Sequence, residues 1–247
     1  MQVEGKAKLI RYTADPEQTI ALAAKLCYSG SEIDELIEKI GEKDNAKFIR
    51  LLTEMNHFSP FEHASFTFAI EGVSRALLAQ ITRHRIASFS VRSQRYVSEG
   101  DFNSIVPPKI AALGEEAKAK YEAQMAQMLS WYREWQACLG TGEGANEDAR
   151  FVLPNACETK MIVTMNAREL MHFFSLRCCN RAQWEIRGIA WQMLAEVLKV
   201  APSVFGNSGP GCLRGPCPEG KKCCGASKAV KEKRDALLQI SDAGSGQ

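Results

Sequence analysis

An α+β fold, mostly helix with a few strands, is what the 247-residue sequence predicts. Two patterns carry that expectation. Apolar residues recur at helical spacing through most of the chain, and the alternation of a half-buried strand is confined to short stretches, with no internal repeat. Composition is the third ground. With 45% hydrophobic and 24% charged residues, the chain can form one large domain or two small ones, and disorder or a fibrous repeat is excluded.

The elements follow in order. Met1 to Tyr12 carries Glu4, Lys6, Lys8 and Arg11 and no apolar leader core, so no secretory signal is expected. Asp15-Pro16 joins a capping residue to a first-turn proline and opens a helix through Ile20, Leu22, Ala23, Leu26 and Cys27, as far as Ser29-Gly30. Ser31 caps a second helix with Ile33, Leu36, Ile37 and Ile40, and Lys47 to Met55 forms a third, broken by His57-Phe58-Ser59-Pro60-Phe61. From His63 to Glu71 the pattern alternates: Phe66, Phe68 and Ile70 face a core, Ser65, Thr67 and Ala69 face away, and Gly72 ends the strand. Ser74 then caps a helix carrying Ala76, Leu77, Leu78 and Ile81 to about Arg85, and an extended stretch follows.

Ala112 to Leu139 is a long amphipathic helix, on which Trp131, Tyr132 and Trp135 serve either a core or a subunit interface. Lys160 to Asn166 is a β-branched strand, Ala167 to Arg177 a helix, and Gln183 to Ala201 the last long helix, stopped by Ala201-Pro202. Residues 1–205 are expected to form the main domain and 206–247 an extension. Gly206 to Gly225 holds six glycines, three prolines and four cysteines, and a basic amphipathic stretch leads to a polar end, Ser241 to Gln247, expected to fray.

The 31 basic and 29 acidic residues leave a net charge of +2, which gives no diffuse basic surface for nucleic acid or a membrane. No run approaches the length of a membrane span. Nine cysteines, an odd number, read as reduced thiols in a soluble, cytoplasmic protein. The tail thiols Cys212, Cys217, Cys223 and Cys224 lack paired C-x2-C spacing, so no metal site is expected.

Charge is uneven locally. Between Gly72 and Ser98 lie Arg75, Arg83, Arg85, Arg92 and Arg95, with no lysine and no acid. Arg83-His84-Arg85 is placed at the end of the expected helix, and Ser88, Ser90, Ser93, Gln94 and Tyr96 follow. Guanidinium forks bind phosphate bidentately and hydroxyls add neutral hydrogen bonds, so the segment suits a phosphorylated ligand with a flat ring. Helix C-termini also favour basic residues, and that plainer account stands beside the first. Arg150, Arg168 and Arg177 form a second set, expected to be partly buried and so to need an anionic ligand or a carboxylate such as Asp148 or Glu169. Glu62 and Glu185 read as further partners for these arginines, and His63 as a structural histidine.

Arg83-His84-Arg85, seven residues and then Ser93 resembles the R-H-R-x7-S motif of the flavin-dependent thymidylate synthases (ThyX). His57-x-Ser59-Pro60-Phe61-Glu62-His63, Leu153-Pro154, Asn166-Ala167-Arg168, Leu176-Arg177 and Ala182-Gln183-Trp184-Glu185-Ile186 are similar to further family blocks, so the resemblance spans roughly residues 15–205. It implies a fold of long helices packed around a small, mostly antiparallel sheet. It also implies conversion of dUMP to dTMP with methylenetetrahydrofolate, NADPH and bound FAD, in a homotetramer whose active sites combine residues of several subunits.

By the same resemblance, His57, Ser59, Arg83, His84, Arg85, Val91, Asn166, Arg168 and His172 would meet FAD. Gln80, Arg83, Val91, Arg92, Ser93, Gln94, Arg95, Arg150 and Arg177 would surround dUMP, with Arg95, Arg150 and the Ser93-Gln94 backbone at the phosphate. Arg177 would lie against the uracil, where its charge favours ionised N3 and activates C5, while hydride comes from reduced flavin. Val91 stands where many relatives carry Glu or Gln, His172 where some carry Asn, and Cys27 where a serine can occur. Ser93 is expected to bind ligand and not to act as nucleophile, because only His84 is near it in sequence as a base. The competing expectation is a single-stranded nucleic-acid binder that uses the arginines and the rings of Phe89 and Tyr96 in segment 75–96.

Overall fold

The computed structural model describes residues 3–41 and 44–244 as an α+β structure of eleven α-helices and one four-stranded sheet. In order these are β1 (Lys6–Tyr12), α1 (Pro16–Leu26), α2 (Ile33–Gly41), α3 (Ala46–Glu54), β2 (Ser65–Ser74), α4 (Arg75–Ile81), β3 (Ala87–Val91), α5 (Pro108–Ala111), α6 (Glu115–Leu139), α7 (Glu143–Ala149), β4 (Glu158–Asn166), α8 (Ala167–Arg177), α9 (Trp184–Leu198), α10 (Pro202–Phe205) and α11 (Ser227–Gly244). The strand order is β1-β2-β4-β3. Neighbours are antiparallel: Thr13 N after β1 donates to Ser65 O at the start of β2, Ala167 N after β4 donates to Ala64 O before β2, and Arg92 N after β3 donates to Lys160 O early in β4.

The described residues divide into two compact units. One comprises 3–6, 70–83 and 89–162. Its core includes Ile70, Leu77, Ile81 and Tyr132, all buried. Gly72 does not end β2; the strand continues to Ser74. Gly72 has φ +66°, and a Cβ there would stand 2.5 Å from the carbonyl oxygen of Glu4, so the glycine lets the N-terminal segment approach the strand closely without stopping it. Ser74 caps α4 as expected, its Oγ accepting from Leu77 N at 3.0 Å. The helix stops at Ile81, so Arg83-His84-Arg85 follows it in a turn and does not form its last turn. The long helix α6 starts at Glu115, after the short α5 and Gly114 (φ 102°). On α6, Tyr132 is fully buried, whereas Trp131 and Trp135 are exposed.

The other unit comprises 7–41, 44–69, 84–88 and 163–244. Pro16 is the first residue of α1, but Asp15 sits in the left-handed region (φ 43°) with no side-chain cap bond. Phe66, Phe205 and Phe174 form an edge-to-face chain in that order with centroids 5.2 and 6.0 Å apart, joined by Phe173 at 5.8 Å from Phe174. The exposed edge of β1 is partly covered by α9: Ala7 N donates to Gln192 Oε1 at 2.9 Å and Leu9 N to Glu196 Oε2 at 3.4 Å. After α10 the tail makes short 3-10 turns and then α11, which packs on α9. Val230 is buried there, and Lys233 lies 4.7 Å above the Trp191 ring. Of the polar end expected to fray, residues 245–247 lie outside the described residues. Among the described residues, no helix is long and apolar enough to cross a membrane.

Candidate functional site

In the first unit the arginine segment is held from three directions. Arg75 Nη2 donates to the carbonyl of Arg92 at 2.8 Å. The Arg92 guanidinium pairs with the buried Glu99, whose hydrogen bond raises the arginine pKa further and keeps the fork charged. Tyr132 OH accepts from Glu99 N at 3.1 Å, and Asn146 Nδ2 donates to the carbonyl of Arg95 at 3.1 Å, so α6 and α7 fix the segment. Ser93 Oγ accepts from Arg95 N and Tyr96 N at 3.2 and 3.4 Å and caps the turn through backbone donors.

Arg95 carries two ion pairs, to Glu143 and Glu147 of α7, and Arg150 Nε donates to the carbonyl of Glu147 at 3.0 Å. Gln80 donates to Ala76 O within α4, while Val91 and Gln94 are half-buried beside the segment. Three carboxylates thus meet Arg92 and Arg95, which the sequence showed in a stretch without acids, because Glu99, Glu143 and Glu147 lie beyond the cluster. A segment so paired is not the solvated basic stripe that a nucleic-acid binder would present. Several polar atoms here remain buried and unpartnered among the described residues: Arg75 Nε, Arg92 Nε, Glu99 Oε1 and Thr159 Oγ1.

The second unit contains a three-residue relay. His84, nearly fully buried, shares a 2.8 Å hydrogen bond between Nδ1 and Glu169 Oε1, and its Nε2 lies 3.1 Å from Arg177 Nε. Arginine can only donate, so Nε2 must accept and the proton resides on Nδ1. Burial lowers the His84 pKa against the pull of the Glu169 hydrogen bond, and the Arg177 charge lowers it as well. The ring is neutral, and this bond orients Arg177 without cancelling its charge. Asn166 caps α8 by accepting from Glu169 N at 2.9 Å, which fixes the relay's first member.

The remaining site residues differ in exposure. Arg83, Arg85, Ser59 and His172 are exposed, and His57 is half-buried against Tyr28. Arg168 is exposed, contrary to the expected burial, because it leaves the first turn of α8 to pair with Glu62. Glu169 therefore serves His84 and not an arginine. His63, read as structural, is exposed too, while Glu185 lies buried in the first turn of α9. A cavity of about 390 Å³ is lined by Arg168, His172, Phe58, Ser175, Ser208 and Arg214 among others. A second, of about 470 Å³, is lined by Arg177, Cys179, Cys212 and Cys217.

No buried thiol suits a nucleophile: burial pushes Cys157 up to about 12 and Cys178 upward as well. Sequence reasoning missed Tyr132, Asn146 and Glu99 as supports, and Ser208 and Arg214 as cavity walls. Only Arg214 carried a signal, a lone arginine in a glycine-rich tail.

An α+β scaffold with a braced arginine loop, a guanidinium oriented by a neutral imidazole and open polar cavities is that of an enzyme for phosphorylated, ring-bearing ligands. The chain belongs to the flavin-dependent thymidylate synthase family. The family described as thymidylate synthase complementing protein matches residues 8–203. The chain is 54% identical to the flavin-dependent thymidylate synthase of Geobacter sulfurreducens, covering 92% of this chain and 96% of the relative. It is 48% identical to that of Clostridium tetani over the same shares, and 43% identical to that of Pyrococcus furiosus over 87% and 89%.

Proposed function

We propose that the protein carries out the reductive methylation of dUMP to dTMP, with methylenetetrahydrofolate as one-carbon donor, NADPH as reductant and FAD as the bound flavin. The Glu169–His84–Arg177 relay is the observation that carries this reading. A neutral imidazole holds Arg177 in place without itself cancelling the positive charge. Set against a uracil ring, that charge stabilises the N3 anion and raises electron density at C5, which is electrostatic preorganisation. A carboxylate in place of His84 would have orited the arginine equally well and neutralised it.

Arg95, Arg150 and the Ser93-Gln94 backbone take the phosphate, with Gln80, Arg83, Val91 and Arg92 around the rest of the nucleotide. Ser93 acts as a binding and turn-capping residue. The second set, His57, Ser59, Arg83, His84, Arg85, Val91, Asn166, Arg168 and His172, takes FAD. The cavity carrying Arg168 and His172 suits such a group, since it offers guanidinium donors, an aromatic ring and a buried serine hydroxyl without a partner among the described residues. When bound, FAD supplies the hydride chemistry. The reading extends to a cytoplasmic homotetramer with shared active sites, and to residues 1–205 as the catalytic domain with 206–247 as its extension.

The test is NADPH oxidation by the FAD-loaded protein with dUMP and methylenetetrahydrofolate, with dTMP followed directly. Formation of dTMP is expected, and its absence would overturn the reading. Arg177→Ala should lower kcat/KM for dUMP by roughly 100- to 1000-fold, in line with loss of one preorganised electrostatic group, while the flavin absorption is retained.

A further inference from the structure

The cavity that contains Arg168 and His172 has a wall outside the stretch matched by the family. Asn207, Ser208 and Arg214 come from the glycine- and cysteine-rich tail, beyond residue 203. Ser208 is 2% exposed, and its hydroxyl has no hydrogen-bond partner among the described residues. A buried hydroxyl without a partner is costly unless a ligand or water completes it.

Arg214 is exposed and lines the cavity. Its Nη1 donates to the carbonyls of Asn207 at 2.8 Å and Gly209 at 3.1 Å, and its Nη2 to Ser175 Oγ at 3.2 Å. Part of the guanidinium's donor set is left over, and no carboxylate is paired with it among the described residues. Burial lowers its pKa, so the surroundings disfavour the charge that the arginine nonetheless keeps. The loop that presents it is tightly turned: Gly209 has φ +121°, and a Cβ there would stand 2.8 Å from Leu213. An anion in the cavity would satisfy both the hydroxyl and the cation.

We propose that Arg214 and Ser208 bind the diphosphate of FAD, so that the tail completes the cofactor pocket begun by Arg168 and His172. This rests on the reading above that the chain binds FAD. Guanidinium and hydroxyl donors match phosphoryl oxygens, and the riboflavin half of the cofactor carries no anion for them to meet. The tail is then part of the enzyme's cofactor site. NADPH shares the diphosphate chemistry, and the experiment separates the two.

The full-length protein is titrated with FAD, ADP, riboflavin, NADPH and dUMP, as wild type and as Arg214→Gln and Ser208→Ala. Arg214→Gln should weaken FAD and ADP by roughly 10- to 100-fold, as expected for lost hydrogen bonds between charged partners. Riboflavin and dUMP should stay within about twofold. Ser208→Ala removes one hydroxyl and should weaken FAD by roughly three- to tenfold. If Arg214→Gln does not fold, Ser208→Ala decides alone. The proposal is overturned if FAD affinity stays within about twofold, if riboflavin weakens as much as FAD, or if the loss is confined to NADPH. A wild-type protein that binds neither FAD nor riboflavin defeats the flavin reading itself and this proposal with it.

Discussion

His84 decides whether Arg177 is held as a donor's partner or repelled. A second proton on the imidazole would set an N–H against the N–H of Arg177 3.1 Å away. Its pKa is lowered by burial, so below the ordinary value near 6.5 the unfolded chain binds the proton more readily than the native one. The stability contributed by the neutral ring is therefore fully present above about pH 6.5 and is lost as the pH falls, by up to ~1.4 kcal/mol per unit until the native pKa is reached. Denaturant unfolding between pH 5 and 7.5 should show this slope, and His84→Gln should flatten it; equal slopes would refute the neutral assignment.

Ser93→Ala gives a second check at this scale. Loss of a cap for Arg95 N and Tyr96 N should cost about 1 kcal/mol in dUMP binding while turnover persists. Abolished turnover at unchanged dUMP affinity would make Ser93 a nucleophile after all. The motif made His84 legible in the sequence. Its pairing with Glu169, 85 residues away, was not, because nothing local marks which of two acidic neighbours an arginine or a histidine will reach.

Among the elements, those with one clean apolar face were readable. α8 has the expected bounds, and β2 buries Phe66, Phe68 and Ile70 as the alternation required. β1 was missed because it buries no full face, and α7 because two glycines, Gly140 and Gly142, precede it with positive φ in a polar stretch. The tail helix α11 was legible only as a basic amphipathic stretch, since the face it lays on α9 belongs to another part of the chain. Gly72 was read as a terminator because glycine weakens strands, whereas its task is steric. Gly72→Ala should destabilise the protein by about 1–3 kcal/mol through the left-handed backbone and the clash with Glu4 O, measured as a shift in the denaturation midpoint. A neutral effect would mean that the N-terminal segment does not approach Gly72 so closely in solution.

For the whole molecule, net charge was a poor guide to chemistry. A total of +2 coexists with arginines gathered on one braced segment, two of which, Arg92 and Arg95, are answered by glutamates placed elsewhere in the sequence. Charge of this kind acts at short range. Raising the salt from 0.05 to 0.5 M should raise KM for dUMP severalfold, because exposed Arg95 is screened over a Debye length of roughly 4–14 Å. The thermal midpoint should move little, since surface pairs contribute only about 0–1 kcal/mol each. A midpoint that falls sharply with salt would show that the ion pairs hold the fold and not only the site.

The docking of α11 on α9 places Lys233 over Trp191, the one buried tryptophan of the four, with its indole N–H bonded to the carbonyl of Cys178 at 3.1 Å. The other three are at least 37% exposed. The chain therefore carries its own optical reporter. A blue-shifted emission component belongs to Trp191, and its loss while the helical circular dichroism is otherwise kept would signal release of the C-terminal helix.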